Sequence, residues 1–252
     1  MYKSLYKDNR IKQLLNKMND ILIILTCTVN VNYYKHFLYQ TNPNDRLECY
    51  LKSIKQWLEK TNLKICVIEN SGYTFLELNE YKEKYSDRFE VITFNEMENP
   101  PELQHLIYNN SKGASEMYSI IYAYNNTKFR NSVKFIIKIT GRYFVPMLEQ
   151  FLIEKNMSCN TIHVGIHHND NMIIGLRQNN DGRCEILGIH IKFFNMLFEL
   201  SLSDGDGYFF PHVEYVYQNR YKLLNQGNML VCPTFEIEPT QMGGNETVVT
   251  NL

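Results

Sequence analysis

The chain of 252 residues predicts an α/β fold with a mostly parallel central sheet and helices on both faces. Short apolar runs alternate with segments of helical spacing through residue 150, as strand–helix–strand units require. The runs are apolar at consecutive positions, which marks strands covered on both faces. One of them, residues 133–145 (VKFIIKITGRYFV), ends abruptly in a cationic, glycine-containing turn and so delivers chemistry at its carboxyl end.

The elements follow in order. Residues 1–19 are polar with apolar spacing at Ile11, Leu14 and Leu15, an amphipathic segment leading into the first strand, Asp20–Val29. Arg46–Lys60 places Leu47, Tyr50, Leu51, Ile54, Trp57 and Leu58 at helical spacing, with Trp57 read as core. Leu63–Ile68 is a second strand, ended by the turn-forming Glu69-Asn70-Ser71-Gly72, and Phe89–Phe94 is a third. Lys112 opens a helix through Asn125, the cationic-turn strand follows, and Pro146 begins another helix. Beyond it, Thr161–Ile166 and Asn171–Leu176 read as strands flanking His167-His168-Asn169-Asp170. Gly188–Leu202 reads as a helix, Ser203–Gly207 as a loop, and the stretch from Pro233 has few helix signals. With no repeat or low-complexity linker, one domain is expected over residues 20–245, halved near residue 150, with 246–252 as a tail.

A formal charge of -1 and a pI near 6.7 supply no global attraction to nucleic acid or anionic lipid, so neither is expected as a partner. The apolar run Ile21–Val29 is too short to span a bilayer, and no stable membrane insertion is expected. Cys27, Cys49, Cys66, Cys159, Cys184 and Cys232 form no CxxC pair and read as reduced thiols of a cytoplasmic protein.

Candidate site residues come from charge at element ends. By the period-two rule, Lys138, Thr140 and Arg142 fall on one side of their strand, and two cations with a hydroxyl suit an anionic ligand. The bland readings are a solvated Lys138 and an Arg142 paired with a carboxylate. Lys112-Gly113 opens a helix, where free N–H groups and the dipole favour an anion, though an ordinary helix start with a solvated lysine reads equally well. Glu214, between apolar neighbours in Phe210-Pro-His-Val-Glu-Tyr215, is a candidate base or else a structural acceptor. Asp204-Gly-Asp206 sits in a glycine loop where aspartates are common in ordinary turns, and it is a fallback metal site only. His163, His167, His168 and Asp170 read as an exposed hairpin loop rather than a metal site.

Taken in order, several of these motifs resemble the small GT-A type glycosyltransferases of large DNA viruses and of bacterial capsule and lipopolysaccharide loci. The parallels are Ile21–Val29, the helix from Arg46 to Trp57, Cys66-Val-Ile-Glu-Asn-Ser-Gly72, Lys112-Gly113-x-x-Glu116 and Lys138-Ile-Thr-Gly-Arg-Tyr143. Later come Gly-Ile-His190 with Phe193-Phe194, Glu214-Tyr215 and Glu238-Pro-Thr-x-x-Gly-Gly. The resemblance spans roughly residues 20–245.

It implies a nucleotide-binding GT-A-like domain that moves a sugar from a nucleoside diphosphate donor to a hydroxyl of a glycan or glycoprotein acceptor. Residues 20–150 would form the donor-binding half and 151–245 the acceptor side, in the cytoplasm, or the host cytoplasm for a viral protein. Thr26, Thr28, Glu69, Asn70 and Ser71 would border the nucleoside. Lys112, Lys138, Thr140 and Arg142 would meet the diphosphate. Glu214 would act as base, with His190, His212 and Tyr215 on the acceptor side. Where such enzymes place an Asp-x-Asp metal motif, this chain has Thr140-Gly-Arg142. The expectation is therefore transfer without a required cofactor, with Mn2+ or Mg2+ as the possible addition, because positioned cations can stabilise a departing diphosphate as a metal does. The competing readings are a non-catalytic glycan-binding or scaffold protein on the same fold and, at a greater distance, a Rossmann-like methyltransferase, against which no GxGxxG follows a strand.

Overall fold

Every residue of the first strand, β1 (Ile21–Cys27), is buried, and its alternate side chains feed two separate cores. Ile21, Ile23, Leu25 and Cys27 face one core; Leu22 and Ile24 face the other. Full burial of one such aliphatic side chain stabilises by about 1.5–3 kcal/mol, so β1 anchors both layers. The computed structural model describes residues 18–36, 38–108, 112–155, 173–179, 183–200 and 213–252.

Three further strands run parallel to β1: β2 (Lys64–Glu69), β3 (Phe89–Thr93) and β4 (Phe135–Thr140), in the spatial order β3-β2-β1-β4. Beyond β4 the sheet continues through β6 (Ile186–His190), antiparallel to β4, then β5 (Gly175–Arg177) and β7 (Met229–Val231), giving seven strands. A hairpin of β8 (Glu236–Gln241) and β9 (Val248–Asn251) forms a separate two-stranded sheet. The α/β class and the mostly parallel sheet agree with the sequence expectation.

The connections decide where a site can form. Helix α1 (Pro43–Lys60) links β1 to β2 and buries Tyr50, Ile54, Trp57 and Leu58 in the core that contains Ile23 and Leu25. It starts three residues before the expected Arg46 because Asn42 caps it, accepting from the N–H of Asn44, and Pro43 fits the first turn. The short α2 (Asn79–Lys84) precedes β3, and α3 (Gln104–Tyr108) precedes α4 (Lys112–Asn126). Helix α4 leads into β4 across the opposite face, burying Ala114, Met117, Ile120 and Ala123 beside Leu22 and Ile24. The strand order reverses between β1 and β4: the connection from β1 runs out to β2 over one face, and the one into β4 returns from β3 over the other. In an open α/β sheet this opens a crevice outside the carboxyl ends of those two strands.

Beyond β4 come α5 (Leu148–Glu154), α6 (Phe194–Leu197) and α7 (Val213–Lys222). Here three expectations need correction. Gly188–Leu202 is not one helix: Ile186–His190 is a strand, and only the four residues of α6 are α-helical. Gly188 belongs to that strand because a Cβ there would lie 2.8 Å from the Phe135 ring and 2.9 Å from Leu176. Residues 246–252 are not a free tail, since β9 pairs with β8 and both Val249 and Leu252 are buried. Helix α7 went unread, its helical spacing hidden by tyrosines on several sides. The expected strand Thr161–Ile166 and most of the segment 1–19 lie outside the described residues.

Candidate functional site

Thr26 and Thr140 are paired across the last rung of β1 and β4, at the lip of the crevice. The chain then turns tightly onto β1: Gly141 donates its N–H to the Thr26 carbonyl at 2.9 Å. A Cβ on Gly141 would sit 2.5 Å from Cys27 Sγ and 2.7 Å from that carbonyl oxygen, so the turn requires glycine.

Lys138 is fully buried, neither solvated nor open to a ligand. Its ammonium reaches Glu116 Oε1 at 2.9 Å, the Cys184 carbonyl at 2.8 Å and Thr140 Oγ1 at 3.2 Å, which uses all three of its protons. Desolvation, the largest influence, pulls its pKa down, but Glu116, Cys184 and Glu185 together outweigh it and the net shift is upward. Glu116 Oε1 also accepts from Thr26 Oγ1 at 2.7 Å. Lys138, expected as a phosphate ligand, is thus committed internally: a buried cation needs a complete set of acceptors, and α4 and the strand ends supply it.

Lys112 opens α4 one turn before Glu116. Its side chain is exposed at the surface yet closely surrounded by protein, and desolvation is the first cause of its lowered pKa. Glu116 and Glu214 oppose that shift and Arg142 adds to it. Gly113 explains how Glu214 comes to act on Lys112. A Cβ on Gly113 would lie 2.5 Å from the Cβ of Val213, so α4 and α7 touch at their amino-terminal ends and carry Glu214 to the crevice. Glu214 is half-buried, and Cys184 Sγ donates to its Oε1 at 3.7 Å.

Arg142 does not share the face of Lys138 and Thr140. It lies beyond the strand end, where Gly141 breaks the alternation, and turns toward α1. Its Nη1 donates to Gln40 Oε1 at 2.9 Å and the Gln241 carbonyl at 3.3 Å, and its guanidinium lies 5.9 Å from the centre of the Tyr50 ring. The backbone at Gly243 runs directly over it, since a Cβ there would come within 2.7 Å of Nη2. Among the described residues its buried Nε has no partner.

Toward β2 the predicted nucleoside border is built largely for architecture. The buried Glu69 carboxylate accepts the N–H groups of Val29, Ser71 and Tyr73 at 2.8–2.9 Å, and the Ser71 hydroxyl as well. Desolvation raises its pKa, and those four hydrogen bonds work against the rise. Asn70 accepts from Thr28 Oγ1 at 2.6 Å and donates to Glu96 Oε2 at 3.0 Å. These residues therefore stand at the crevice with their polar groups already engaged.

His190 is at the wrong end of the sheet. It pairs with Phe135 at the start of β4, five rungs or roughly 16 Å from Thr140. Buried there, with its pKa lowered by desolvation, it accepts from the Lys192 N–H at 3.2 Å, which removes it from the acceptor side. Tyr215 is exposed on α7 beside Glu214. His212, the His163, His167, His168 and Asp170 group, and Asp204 and Asp206 lie outside the described residues.

Among the described residues, no three His, Cys, Asp or Glu side chains cluster to hold a metal ion. The β4 end offers a hydroxyl, a glycine and a guanidinium, and the adjacent carboxylate of Glu116 is paired with Lys138, so this end does not fit a bound cation. Cys27, Cys49, Cys66, Cys184 and Cys232 are unpaired. Among the described residues no helix is long and apolar enough to cross a membrane. Sequence reasoning missed Glu116 and Cys184 as members of the cluster. Glu116 carried a signal, four residues after Lys112 on one helix face; Cys184 carried none.

Neither a protein-family model nor a curated protein matches the chain in sequence. Among solved structures, it is similar to a "putative nucleotide-diphospho-sugar transferase" from Desulfovibrio desulfuricans G20, at 14% identity, over 85% of this chain and 80% of that one, with a TM-score of 0.41. It is also similar to 4-diphosphocytidyl-2C-methyl-D-erythritolsynthase from Anaerococcus prevotii DSM 20548, at 7% identity, over 86% and 88% of the two chains, with a TM-score of 0.39. At these levels of similarity neither likeness bears on the chemistry of this chain.

Proposed function

We propose that the protein is a glycosyltransferase that moves a sugar from a nucleoside diphosphate sugar to a hydroxyl of an acceptor glycan. The observation that carries this reading is the packing of the amino-terminal ends of α4 and α7, which bear Lys112 and Glu214, against one another, with α4 held to β4 by the Lys138–Glu116 pair. In the reaction, the acceptor oxygen bonds to the anomeric carbon while the bond from that carbon to the diphosphate breaks. Glu214 takes the acceptor proton, and the electron pair leaves on the diphosphate oxygen.

Negative charge grows on the diphosphate as it departs, and fixed cations in a partly desolvated site stabilise it most there. Lys112 supplies a compact charge at the amino end of α4, and Arg142 a planar fork from the β4 turn. The Lys138–Glu116 pair holds α4 against β4, which fixes the distance between those two cations.

Incubating the purified protein with UDP-, GDP- and dTDP-sugars and mixed glycans, in manganese and separately in chelator, tests the reading. Release of free nucleotide together with glycosylated product is expected, and Glu214→Gln should slow transfer by about 10²–10⁴-fold while nucleotide binding holds. Equal loss of binding and transfer would make Glu214 structural, and no product from any donor would remove the transferase reading.

A further inference from the structure

Beside the crevice, between α7 and the strands β5 and β6, lies a cavity of about 100 Å³ that the mechanism does not use. Glu214 stands in its wall, so it adjoins the proposed base. The rest of its chemistry is different. Arg177, Arg183 and Lys222 line it, three cations against the single carboxylate of Glu214. The two arginines are braced by backbone: Arg177 Nη1 donates to the Gln178 carbonyl at 3.3 Å and Arg183 Nη1 to the Asn251 carbonyl at 3.1 Å.

Two more lining residues hold unused hydrogen-bonding atoms. Gln178 is 3% exposed; its Oε1 accepts from the Ile186 N–H at 3.0 Å, but among the described residues nothing meets its Nε2. Tyr217, 1% exposed, has a hydroxyl with no partner among the described residues. A buried polar atom left without a partner costs roughly 1–3 kcal/mol. Both atoms are closed off behind the cavity wall, so the three cations give the cavity its chemical character. The cavity has room for a carboxylate or phosphate group.

We propose that this cavity receives an acidic substituent of the acceptor, so that the substrate is a glycan bearing a carboxylate or phosphate near the hydroxyl that is glycosylated. This rests on the transferase reading for the identity of the reaction, but not for the binding itself. The acid group lies among Arg177, Arg183 and Lys222 and leaves the neighbouring hydroxyl beside Glu214. A neutral acceptor gains none of this charge attraction, and that difference is what discriminates the two.

The test uses oligosaccharides identical except for a terminal glucose, glucuronate or 6-phosphoglucose, with binding followed by saturation-transfer NMR and calorimetry. At least one acidic form should bind ten-fold or more tightly than the glucose form, and the preferred one distinguishes carboxylate from phosphate. Arg177→Gln combined with Lys222→Gln should erase the preference while far-UV circular dichroism remains native; should that variant unfold, the single Lys222→Gln, at an exposed position, should still reduce it several-fold. Equal binding of acidic and neutral forms, or a preference untouched by folded variants, overturns the proposal. An acid preference of this kind in a protein that binds no nucleotide would uphold the cavity and reject the transferase reading instead.

Discussion

Two lysines are buried against glutamates in this molecule, and they end up in opposite states. Lys35 lies 3.1 Å from Glu96, with both side chains less than a tenth exposed; Lys138 lies 2.9 Å from Glu116, whose side chain is 22% exposed. Glu96 is also claimed by Asn70 and by Ser115, so its charge is shared within a closed network on the β2 side. Desolvation there prevails and Lys35 has a lowered pKa. At Lys138 desolvation is again the largest influence, yet Glu116, Cys184 and Glu185 reverse it. The β2 side is a closed polar structure that shapes the loop after β1. The β4 side sets one buried cation among Glu116, Cys184 and Glu185, and leaves Glu116 partly exposed. A polar cluster at a strand end is therefore architecture where its own backbone saturates it, and a place for chemistry where charges remain partly open.

The largest expected effect that sharpens this contrast is on stability. Lys138→Met should cost about 3–5 kcal/mol in urea unfolding, because removing one partner of a buried pair leaves the other uncompensated. Adding Glu116→Gln should recover part of that loss, and strict additivity of the two would contradict a coupled pair. Next comes Arg142→Lys, which keeps the charge but not the fork and should lower transfer by roughly 10²-fold with the fold retained. Arg142→Ala should in addition loosen the strand end at Gln241, since that carbonyl loses its donor.

Glu69→Gln belongs to the closed side and should behave otherwise. Turning one acceptor into a donor against N–H groups should cost about 1–3 kcal/mol in chemical denaturation, while nucleotide affinity in the folded variant stays within two-fold or so. A selective loss of affinity would move Glu69 into the binding machinery. The smallest effects are alkaline and of opposite sign. The folded pKa of Lys138 is raised, so its contribution is complete below the unfolded value of about 10.4 and is lost as pH rises through the folded value. That of Lys35 is lowered, so the unfolded chain binds more protons in the interval below about 10.4 and stability rises with pH there. Stability curves of Lys35→Met and Lys138→Met against the unaltered protein should therefore diverge in opposite directions at high pH.

Much of the first 150 residues was legible in the sequence. The runs Ile21–Cys27, Lys64–Glu69 and Phe135–Thr140 are largely apolar on successive positions because both faces are covered, while the edge strand Phe89–Thr93 is only half-buried. The read of Trp57 as core holds, with its indole N–H donating to the Tyr143 carbonyl at 2.9 Å. In the seven-stranded sheet the strands past residue 150 shorten to three to five residues, and β6 looks helical because its apolar run continues into Phe193 and Phe194. Site residues were legible by type and end of element, but not by direction. Lys138 and Arg142 sit four residues apart, yet one turns inward to Glu116 and the other toward Gln40, because a single glycine separates the strand from its turn. His190 was misplaced because the antiparallel pairing of β6 with β4 depends on contacts nearly 50 residues distant, which local spacing does not encode.

The central claim is that the crevice between β1 and β4 binds a nucleoside diphosphate through Lys112 and Arg142, and thermal stabilisation by UDP and GDP in chelator tests it most directly. At one hundred times Kd the ligand should add about 2.7 kcal/mol to the native state, with a matching rise in Tm for one of the two nucleotides. Lys112→Gln should remove most of that rise while leaving the Tm of the unliganded protein nearly unchanged. A rise that appears only with manganese, or that persists in full in Lys112→Gln and Arg142→Lys, would contradict the claim.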